Sequence, residues 1–358
     1  MGTVHLAGLL LGLLASLTLL APPPLLTLLL GILTGLLLST TQTWDTIRLL
    51  LSKLPLGTSS ATTTDEHGGY AYGMDHALLN LQPPATFWLN MGLWKSVDKS
   101  DFVGACRALA QVVIDGLELK DGDRVFDFGY GCGDQLLLLL SQHPHTIVTG
   151  VTSESAQALL AASRLPPHTP TTALYIGDAV NPSSWRKPAN SNIHHVPKPD
   201  QTYDAILSLD SCYHYTTRLK WLHLCHQMLK PNGRFSCTDL QLGPGYARAV
   251  QSSRISDKVM LLKLRAALYL TGAPWANFLT PPAYIGQYHS AGFTDVVVED
   301  ISANVFPGLG RFIKAHRERM GGVVGEGKWG QYEMAGRLFG WLWEEGLVRF
   351  VVVRARRG

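Results

Sequence analysis

Three glycines at alternating positions form the part of the sequence best suited to chemistry. Gly129, Gly131 and Gly133 follow the apolar run Val125–Phe128, which contains one acid, Asp127. Glycine allows the backbone to turn sharply and a ligand to approach it with no side chain in the way. The next residues have the apolar spacing of a helix. A strand, a glycine turn and a helix in this order are typical of a nucleotide-type cofactor site.

A second group of chemically useful side chains follows a later apolar run, 203–210. Asp210, Tyr213 and His214 lie within five residues of one another at its end. A histidine near its ordinary pKa can accept a proton at neutral pH, as a transfer reaction to a hydroxyl or a carbon would require. The alternative is that His214 packs or caps locally, as a lone histidine usually does.

Apolar runs and helical patterns alternate along the chain. The strands and helices that they predict must position these two groups. The strands predicted after the first one cover 146–151, 174–179, 203–210, 233–239, 291–302 and 347–353, and the predicted helices cover 101–117, 219–229, 248–270 and 283–291. Strands that alternate with helices indicate a parallel sheet with right-handed crossovers. Ligands of such sheets bind at the carboxyl ends of the strands, where Asp127, Asp178 and Asp210 are expected.

The glycine segment lacks the dinucleotide spacing G-x-G-x-x-G and resembles the first motif of class I S-adenosylmethionine-dependent methyltransferases. That motif reads hydrophobic-Asp-hydrophobic-Gly-x-Gly-x-Gly, as does Val125–Gly133. The resemblance implies that the glycine backbone passes close to the methionine part of the cofactor. It implies that Asp127 helps to fix the loop and the cofactor's amino end. It also implies an α/β fold with a Rossmann-like seven-stranded sheet whose seventh strand is antiparallel.

The segment Gly150–Gln157 resembles the G-hydrophobic-T-x-S-x-x-Q segment of the cyclopropane fatty acid synthase, tocopherol and sterol methyltransferase group, apart from a glutamate where a serine is usual. By that resemblance, Gln157 binds the ribose and Thr152 lies at the adenosine edge. Asp178 is expected to accept a hydrogen bond from the adenine amino group, with Ala179 against the ring. A solvated position on a helix remains the alternative for Gln157.

In the same group, Asp210 and His214 match the acid and the histidine of an E-x-x-x-H segment, which implies a base at His214. Tyr213 stands where cyclopropane synthases carry a glutamate. Ordinary methyl transfer is therefore favoured over cyclopropanation. The segment 88–94 resembles a cap over the cofactor, for which Tyr70, Tyr72 and Trp94 are candidate lining residues. The aromatic residues between the last two strands could fill the core or wall an apolar pocket.

The amino-terminal residues predict a membrane anchor. From Val4 to Leu38 there is no Asp, Glu, Lys or Arg, and three prolines at 22–24 divide this stretch in two. Residues 1–38 are expected to form one span with a shallow helix, or a hairpin, and a cleaved signal peptide is the alternative. An amphipathic linker, 39–65, and a methyltransferase domain, 66–358, would follow. That domain would comprise a core (118–245), a lid (246–290) and the final strands with a helical insert (291–358).

Charge and cysteine usage indicate the compartment and the partners. Arg48 and Lys53 follow the apolar block, which weakly favours a cytosol-facing catalytic domain, most simply at the endoplasmic reticulum. The five cysteines contain no C-x-x-C pair, as expected of reduced thiols with no disulfide framework and no metal site. A net charge of +3 with mixed signs makes nucleic acid a poor candidate partner. No protein partner is predictable.

The sequence therefore predicts a membrane-anchored enzyme that uses S-adenosylmethionine to methylate a small apolar acceptor, such as a lipid, a sterol or terpenoid, or a polyketide-like metabolite. One alternative is a membrane-tethered NAD(P)-dependent oxidoreductase, against which the glycine spacing and the lack of a Tyr-x-x-x-Lys pair count. Another is a non-catalytic scaffold that keeps the methyltransferase fold.

Overall fold

A computed structural model describes residues 79–80, 86–165, 172–188, 202–320 and 326–358. The predicted anchor (1–38), the linker (39–65) and the candidate cap residues Tyr70 and Tyr72 lie outside the described residues. Among the helices within these ranges, none combines the length and the apolar character that crossing a bilayer requires.

Seven strands form one sheet in the order β3-β2-β1-β4-β5-β7-β6. Their bounds are β1 Arg124–Phe128, β2 Ile147–Thr152, β3 Thr172–Ile176, β4 Tyr203–Ser208, β5 Leu229–Leu242, β6 Phe293–Asp300 and β7 Val348–Arg357. The first five strands are mutually parallel, and β7 runs antiparallel to both of its neighbours, β5 and β6. The structure confirms the predicted sheet and its antiparallel seventh strand.

Nine α-helices accompany the sheet within the described ranges. They are α1 Phe102–Asp115, α2 Asp134–Gln142, α3 Ser155–Arg164, α4 Arg218–Met228, α5 Pro244–Gln251, α6 Ile255–Leu270, α7 Pro281–Ser290, α8 Phe306–Met320 and α9 Glu326–Glu344. The predicted start of α1 is explained by Asp101, whose Oδ1 accepts a hydrogen bond from the Gly104 amide at 2.7 Å and caps the helix.

The prediction of one helix over 248–270 is wrong, because the chain breaks between α5 and α6. Ser252 and Arg254 are both extended at the break. The Ser252 hydroxyl accepts a hydrogen bond from the Arg254 amide at 3.1 Å. Serine side chains that bond to nearby backbone in this way compete with helical hydrogen bonds. The first part of the predicted lid therefore contains two separate helices, α5 and α6, and α7 completes it.

The core lies on both faces of the sheet. Along β7, Phe350 and Val352 belong to one buried apolar cluster, while Val351 and Val353 belong to another, as the two-residue period of a strand requires. The first cluster includes side chains of α1 and α8, and the second includes side chains of α4 and α7. Helices on both faces leave the carboxyl ends of the parallel strands as the edge at which a ligand can bind.

Several aromatic residues between β6 and β7 pack into this core. Phe306 stacks on Phe339 with ring centroids 5.8 Å apart. Phe312 stacks on Phe102 at 5.2 Å and contacts Trp94 at 5.4 Å. Trp94 is thus part of an aromatic core group. The insert between the last two strands consists of α8 and α9.

Candidate active site

The glycine turn after β1 has a backbone that other residues rarely adopt. Gly129, Gly131 and Gly133 have φ angles of +82°, +55° and +88°. A Cβ atom added at Gly131 would lie 2.8 Å from Leu89 Cδ1, and one added at Gly133 would lie 3.0 Å from Ala161 Cβ. The turn therefore depends on glycine both for its conformation and for the close approach of its neighbours.

Asp127 lies directly beneath this turn and is fully buried. Gln135 Nε2 donates to both of its carboxylate oxygens at 3.1 Å. Burial raises the pKa of Asp127 to about 8, and the hydrogen bonds from Gln135 oppose that rise. A positive charge placed against the carboxylate would favour its ionised form. The side chain is thus suited to a cationic group such as the ammonium of an amino acid.

Arg164, at the end of α3, holds the glycine turn from outside. Its Nη1 donates to the Cys132 carbonyl at 2.7 Å, and its guanidinium forms a bidentate pair with Asp134 at 2.8 and 2.6 Å. The Phe87 amide donates to the same Asp134 carboxylate at 3.1 Å. Sequence reasoning missed Arg164, Asp134 and Gln135, because no motif marks residues whose role is to support a turn from neighbouring helices.

The remaining predicted cofactor residues follow β2 and β3, at the same edge of the sheet. Thr152 Oγ1 donates to Gln157 Oε1 at 3.3 Å. Gln157 is buried, so it is not the solvated helix residue of the alternative. Asp178 is exposed, and its Oδ1 accepts a hydrogen bond from the Val180 amide at 2.9 Å, while Ala179 is buried. The register that pairs Phe128 with Val151 and Thr152 with Ile176 aligns these strand ends.

Asp210 follows β4, next to the glycine turn. The backbone of Asp210 is left-handed, with a φ angle of +53°, which is uncommon for residues other than glycine. Oδ1 accepts a hydrogen bond from the Tyr213 hydroxyl at 2.9 Å, and Oδ2 accepts one from the Met91 amide at 2.7 Å. Burial raises the pKa of Asp210 to about 6, although both hydrogen bonds lower it. The carboxylate is therefore a base matched to neutral pH.

His214 lies beside Tyr213, with ring centroids 4.3 Å apart. Burial lowers the pKa of His214 to about 4, and a hydrogen bond to the Gly272 backbone only partly offsets this effect. The expectation of a histidine near its ordinary pKa is thus not met, because the lid covers the imidazole. At neutral pH the ring is uncharged and can form hydrogen bonds, but it is a weaker base than Asp210.

Three hydroxyl groups form a cluster between the two halves of the site. Ser208, Ser211 and Tyr215 approach one another with oxygen separations of 2.8 to 3.1 Å. The Ser211 hydroxyl also donates to the Phe128 carbonyl at 3.2 Å, and a Cβ added at Gly129 would lie 2.5 Å from its oxygen. The end of β4 is therefore joined to the glycine turn by direct contacts.

The segment 86–94 crosses the strand ends and contacts both halves. Leu89 lies against Gly131, and the Met91 amide donates to Asp210. The lid contacts the same region through Asn277, whose Nδ2 donates to the carbonyls of Tyr213 and Tyr215 at 3.0 and 2.7 Å. Sequence reasoning missed Asn277, because nothing in its neighbourhood distinguishes it from other lid residues.

Comparisons with known proteins identify the family. A family described as "Methyltransferase domain" matches residues 103–298. Erythromycin 3''-O-methyltransferase of Saccharopolyspora erythraea is 23% identical over 218 residues, which cover 61% of this chain and 65% of that protein. The match therefore spans just under two thirds of that relative's length.

Two further similarities bear on the fold and on the range of chemistry. A crystal structure of a mycolic acid cyclopropane synthase complexed with SAH and CTAB has a TM-score of 0.61 at 14% identity, covering 80% of this chain and 94% of that one. At this identity the similarity shows the fold alone. An S-adenosyl-L-methionine-dependent Diels-Alderase of Talaromyces variabilis is 26% identical over 109 residues, which cover 30% of this chain and 36% of that protein.

Proposed function

This chain belongs to the methyltransferase-domain family, with S-adenosylmethionine as its cofactor, and we propose from this premise that it transfers the cofactor's methyl group to a small apolar acceptor at the carboxyl edge of β1 and β4. One observation carries the proposal. The left-handed glycine turn follows fully buried Asp127 and contacts Ser211, the neighbour of a second, half-buried carboxylate, Asp210, which accepts a hydrogen bond from the Tyr213 hydroxyl.

The residues of the first half fit the cofactor. The turn at Gly129, Gly131 and Gly133 has no side chain to obstruct a methionine moiety, and Asp127 gains its charge most readily beside an ammonium group. Bound there, S-adenosylmethionine supplies an electrophilic methyl group. We assign the ribose to Gln157 and Thr152, and the adenine to Asp178 and Ala179, by the family resemblance of their sequence positions.

The second half would hold the acceptor and receive its proton. Methyl transfer to a hydroxyl or to an activated carbon releases a proton, and the rate depends mainly on alignment of the nucleophile with the methyl group. Asp210, with a pKa near 6, is the better proton acceptor, while His214, with a pKa near 4, orients the acceptor by hydrogen bonding. Tyr213 connects the two because its hydroxyl bonds to Asp210 and its ring contacts His214.

The acceptor class and the location rest on the amino-terminal residues. The uncharged stretch from Val4 to Leu38 favours anchoring in a membrane, where lipids, sterols, terpenoids and polyketide-like compounds partition. Arg48 and Lys53 favour a cytosol-facing domain, which we place at the endoplasmic reticulum.

Two measurements test this function. Calorimetry with the purified full chain should show binding of S-adenosylmethionine and none of NADPH, the cofactor of the oxidoreductase alternative. Metabolite and lipid profiles of a deletion strain should then differ by one methyl mass in specific species. Loss of binding would contradict the cofactor assignment. The protein could also bind S-adenosylmethionine without converting it to S-adenosylhomocysteine, even when whole lipid extracts are added. That result would favour a scaffold or a cyclase similar to the Diels-Alderase.

A further inference from the structure

The lid helix α6 presents an apolar stripe to the outside of the molecule. Ile255 is 78% exposed, Val259 44% and Leu270 49%, while Leu262 and Ala266, which lie between them in sequence, are half-buried. Steps of four, three, four and four residues keep these side chains on one face of an α-helix. Single exposed apolar residues are common, but a continuous stripe over four turns is not.

The opposite face of α6 is the one that packs against the domain. Leu264 and Leu268 are buried there in the first core cluster. A surface helix of a globular protein normally has one apolar face and one polar face. Because α6 already uses one apolar face for the core, its second apolar stripe is not needed for folding.

Positive charges flank the exposed stripe on both sides. On the helical projection, Lys258 and Arg265 lie along one border and Lys263 along the other. The helix contains one acid, Asp257, which faces a groove that also includes Arg248. Within α6, which the structure describes completely, no carboxylate lies on the exposed stripe or its borders.

The segments that precede and follow α6 extend this surface. Lys258 Nζ donates to the Val250 carbonyl at 3.0 Å, which brings the end of α5 beside α6, and Val250 is itself 47% exposed. Further along the same border, the Arg265 guanidinium lies over the Trp275 ring at 4.7 Å. Both cations are thus held close to the helix, where they contribute to the field over the stripe.

We propose that this face of α6 is a docking surface for an anionic lipid bilayer. An apolar stripe bordered by lysine and arginine is the arrangement that lets a helix lie in the interface, with apolar side chains among acyl chains and cations at anionic headgroups. This contact is separate from the amino-terminal anchor and does not depend on methyl transfer. It would hold the lid against the membrane, since α6 ends two residues before Gly272, whose backbone is hydrogen-bonded to His214.

A site-specific label on the full chain tests the contact directly. All five native cysteines are buried, so Ile255→Cys can carry an environment-sensitive fluorophore. With phosphatidylserine-containing vesicles, nitroxide-bearing lipids should quench this label. The matched control is Ile147→Cys, which is 38% exposed at the amino end of β2, opposite the edge that the lid covers. That label should remain unquenched.

Lipid charge separates this surface from the amino-terminal anchor. In neutral phosphatidylcholine vesicles an anchor could still retain the chain, but quenching at position 255 should fall. Lys258→Gln and Lys263→Gln should each weaken the docked state about fivefold, as expected for removal of one cation near an anionic surface. An unchanged melting temperature in each variant would show that the effect is not unfolding.

Three results would overturn the proposal. The first is equal quenching at positions 255 and 147, and the second is quenching that is the same in neutral and anionic vesicles. The third is protection of the position-255 label from a soluble quencher before any lipid is added. Protection that grows with protein concentration would identify a second copy as the occupant, and protection independent of concentration would identify a segment of the same chain.

Discussion

The two carboxylates of the site, fully buried Asp127 and half-buried Asp210, are held in different ways. Asp127 is bonded to Gln135, eight residues away in the sequence, and both lie in one strand–turn–helix unit. Asp210 is bonded to the Met91 amide, 119 residues away, and lies beneath the cap segment. A local unit therefore holds Asp127, while three distant segments meet around Asp210.

This difference has a chemical counterpart. Burial raises the pKa of both acids, to about 8 for Asp127 and about 6 for Asp210. The first value suits a carboxylate that becomes charged when a cation arrives, and the second suits a base at neutral pH. The same edge of the sheet thus has a binding acid, Asp127, and a reacting acid, Asp210. Experiments can test the two roles separately.

Replacing the reacting acid should have the largest effect. Asp210→Asn is expected to lower kcat by about 10²- to 10⁴-fold, the usual contribution of a general base, with little change in cofactor affinity. The wild-type kcat/KM should fall as pH drops below about 6, where Asp210 takes up a proton, and the variant should lose this dependence. Steady-state kinetics from pH 5 to 8 measure both effects.

Asp204→Asn is the matched control, because it makes the same change near the other end of β4, where Asp204 pairs with Lys230. It should leave kcat and the pH profile unchanged. Normal turnover in Asp210→Asn would contradict the role of Asp210 as the base. Weakened cofactor binding with a normal kcat at saturating cofactor would show that Asp210 binds the cofactor instead.

The second largest effect is expected at the glycine turn. Gly131→Val should lower the affinity for S-adenosylmethionine by about 100-fold, since it adds left-handed strain and a side chain that collides with Leu89, on the segment that crosses the proposed cofactor site. Calorimetry measures the affinity. Gly122→Val shares the positive φ but has no atom within 4 Å of its Cβ position, so it isolates the strain. Equal losses in both variants would mean that the turn is merely structural.

The binding acid should be visible in the pH dependence of stability. Burial raises the pKa of folded Asp127 from its ordinary value of 3.8 to about 8, so the folded state holds a proton that the unfolded state releases. The free energy of unfolding without cofactor should therefore decrease as pH rises towards 8. The slope would approach about 1.4 kcal/mol per pH unit.

The window from pH 6.5 to 8 is the informative one for Asp127. Asp210 is mostly ionised there, and the lowered pKa of His214 affects stability mainly below 6.5. Chemical denaturation across this window measures the slope, which Asp127→Asn should flatten. A slope that persists in the variant would assign the titration to another group.

The smallest effect is expected at His214. Because its pKa is lowered to about 4, His214→Ala should remove a hydrogen bond and not the main base, lowering kcat by about tenfold with cofactor affinity retained. Kinetics and calorimetry on the same preparation separate the two quantities. A loss as large as that of Asp210→Asn would show that the imidazole is the base after all.

Predictability from sequence follows the same division between the two halves. The sequence predicted three features of the fold: the strand–glycine–helix unit, the seven strands and the antiparallel last strand. Each depends on a local pattern or on a family motif within a short segment. Arg164 and Gln135 were not, because a residue that supports a turn from a helix has no pattern of its own. The break at Ser252 was missed because helical periodicity continues across it.

The residues by themselves determined the chemistry that is available: a turn only glycine can form, an acid beneath it, and an acid, a phenol and an imidazole after the fourth parallel strand. Only the tertiary structure decided which of these groups is the stronger base. Burial beneath the cap and the lid lowers the proton affinity of His214 and raises that of Asp210. The segments responsible, near residues 91 and 272, lie far from the site in the sequence, and desolvation depends on what finally packs against a group.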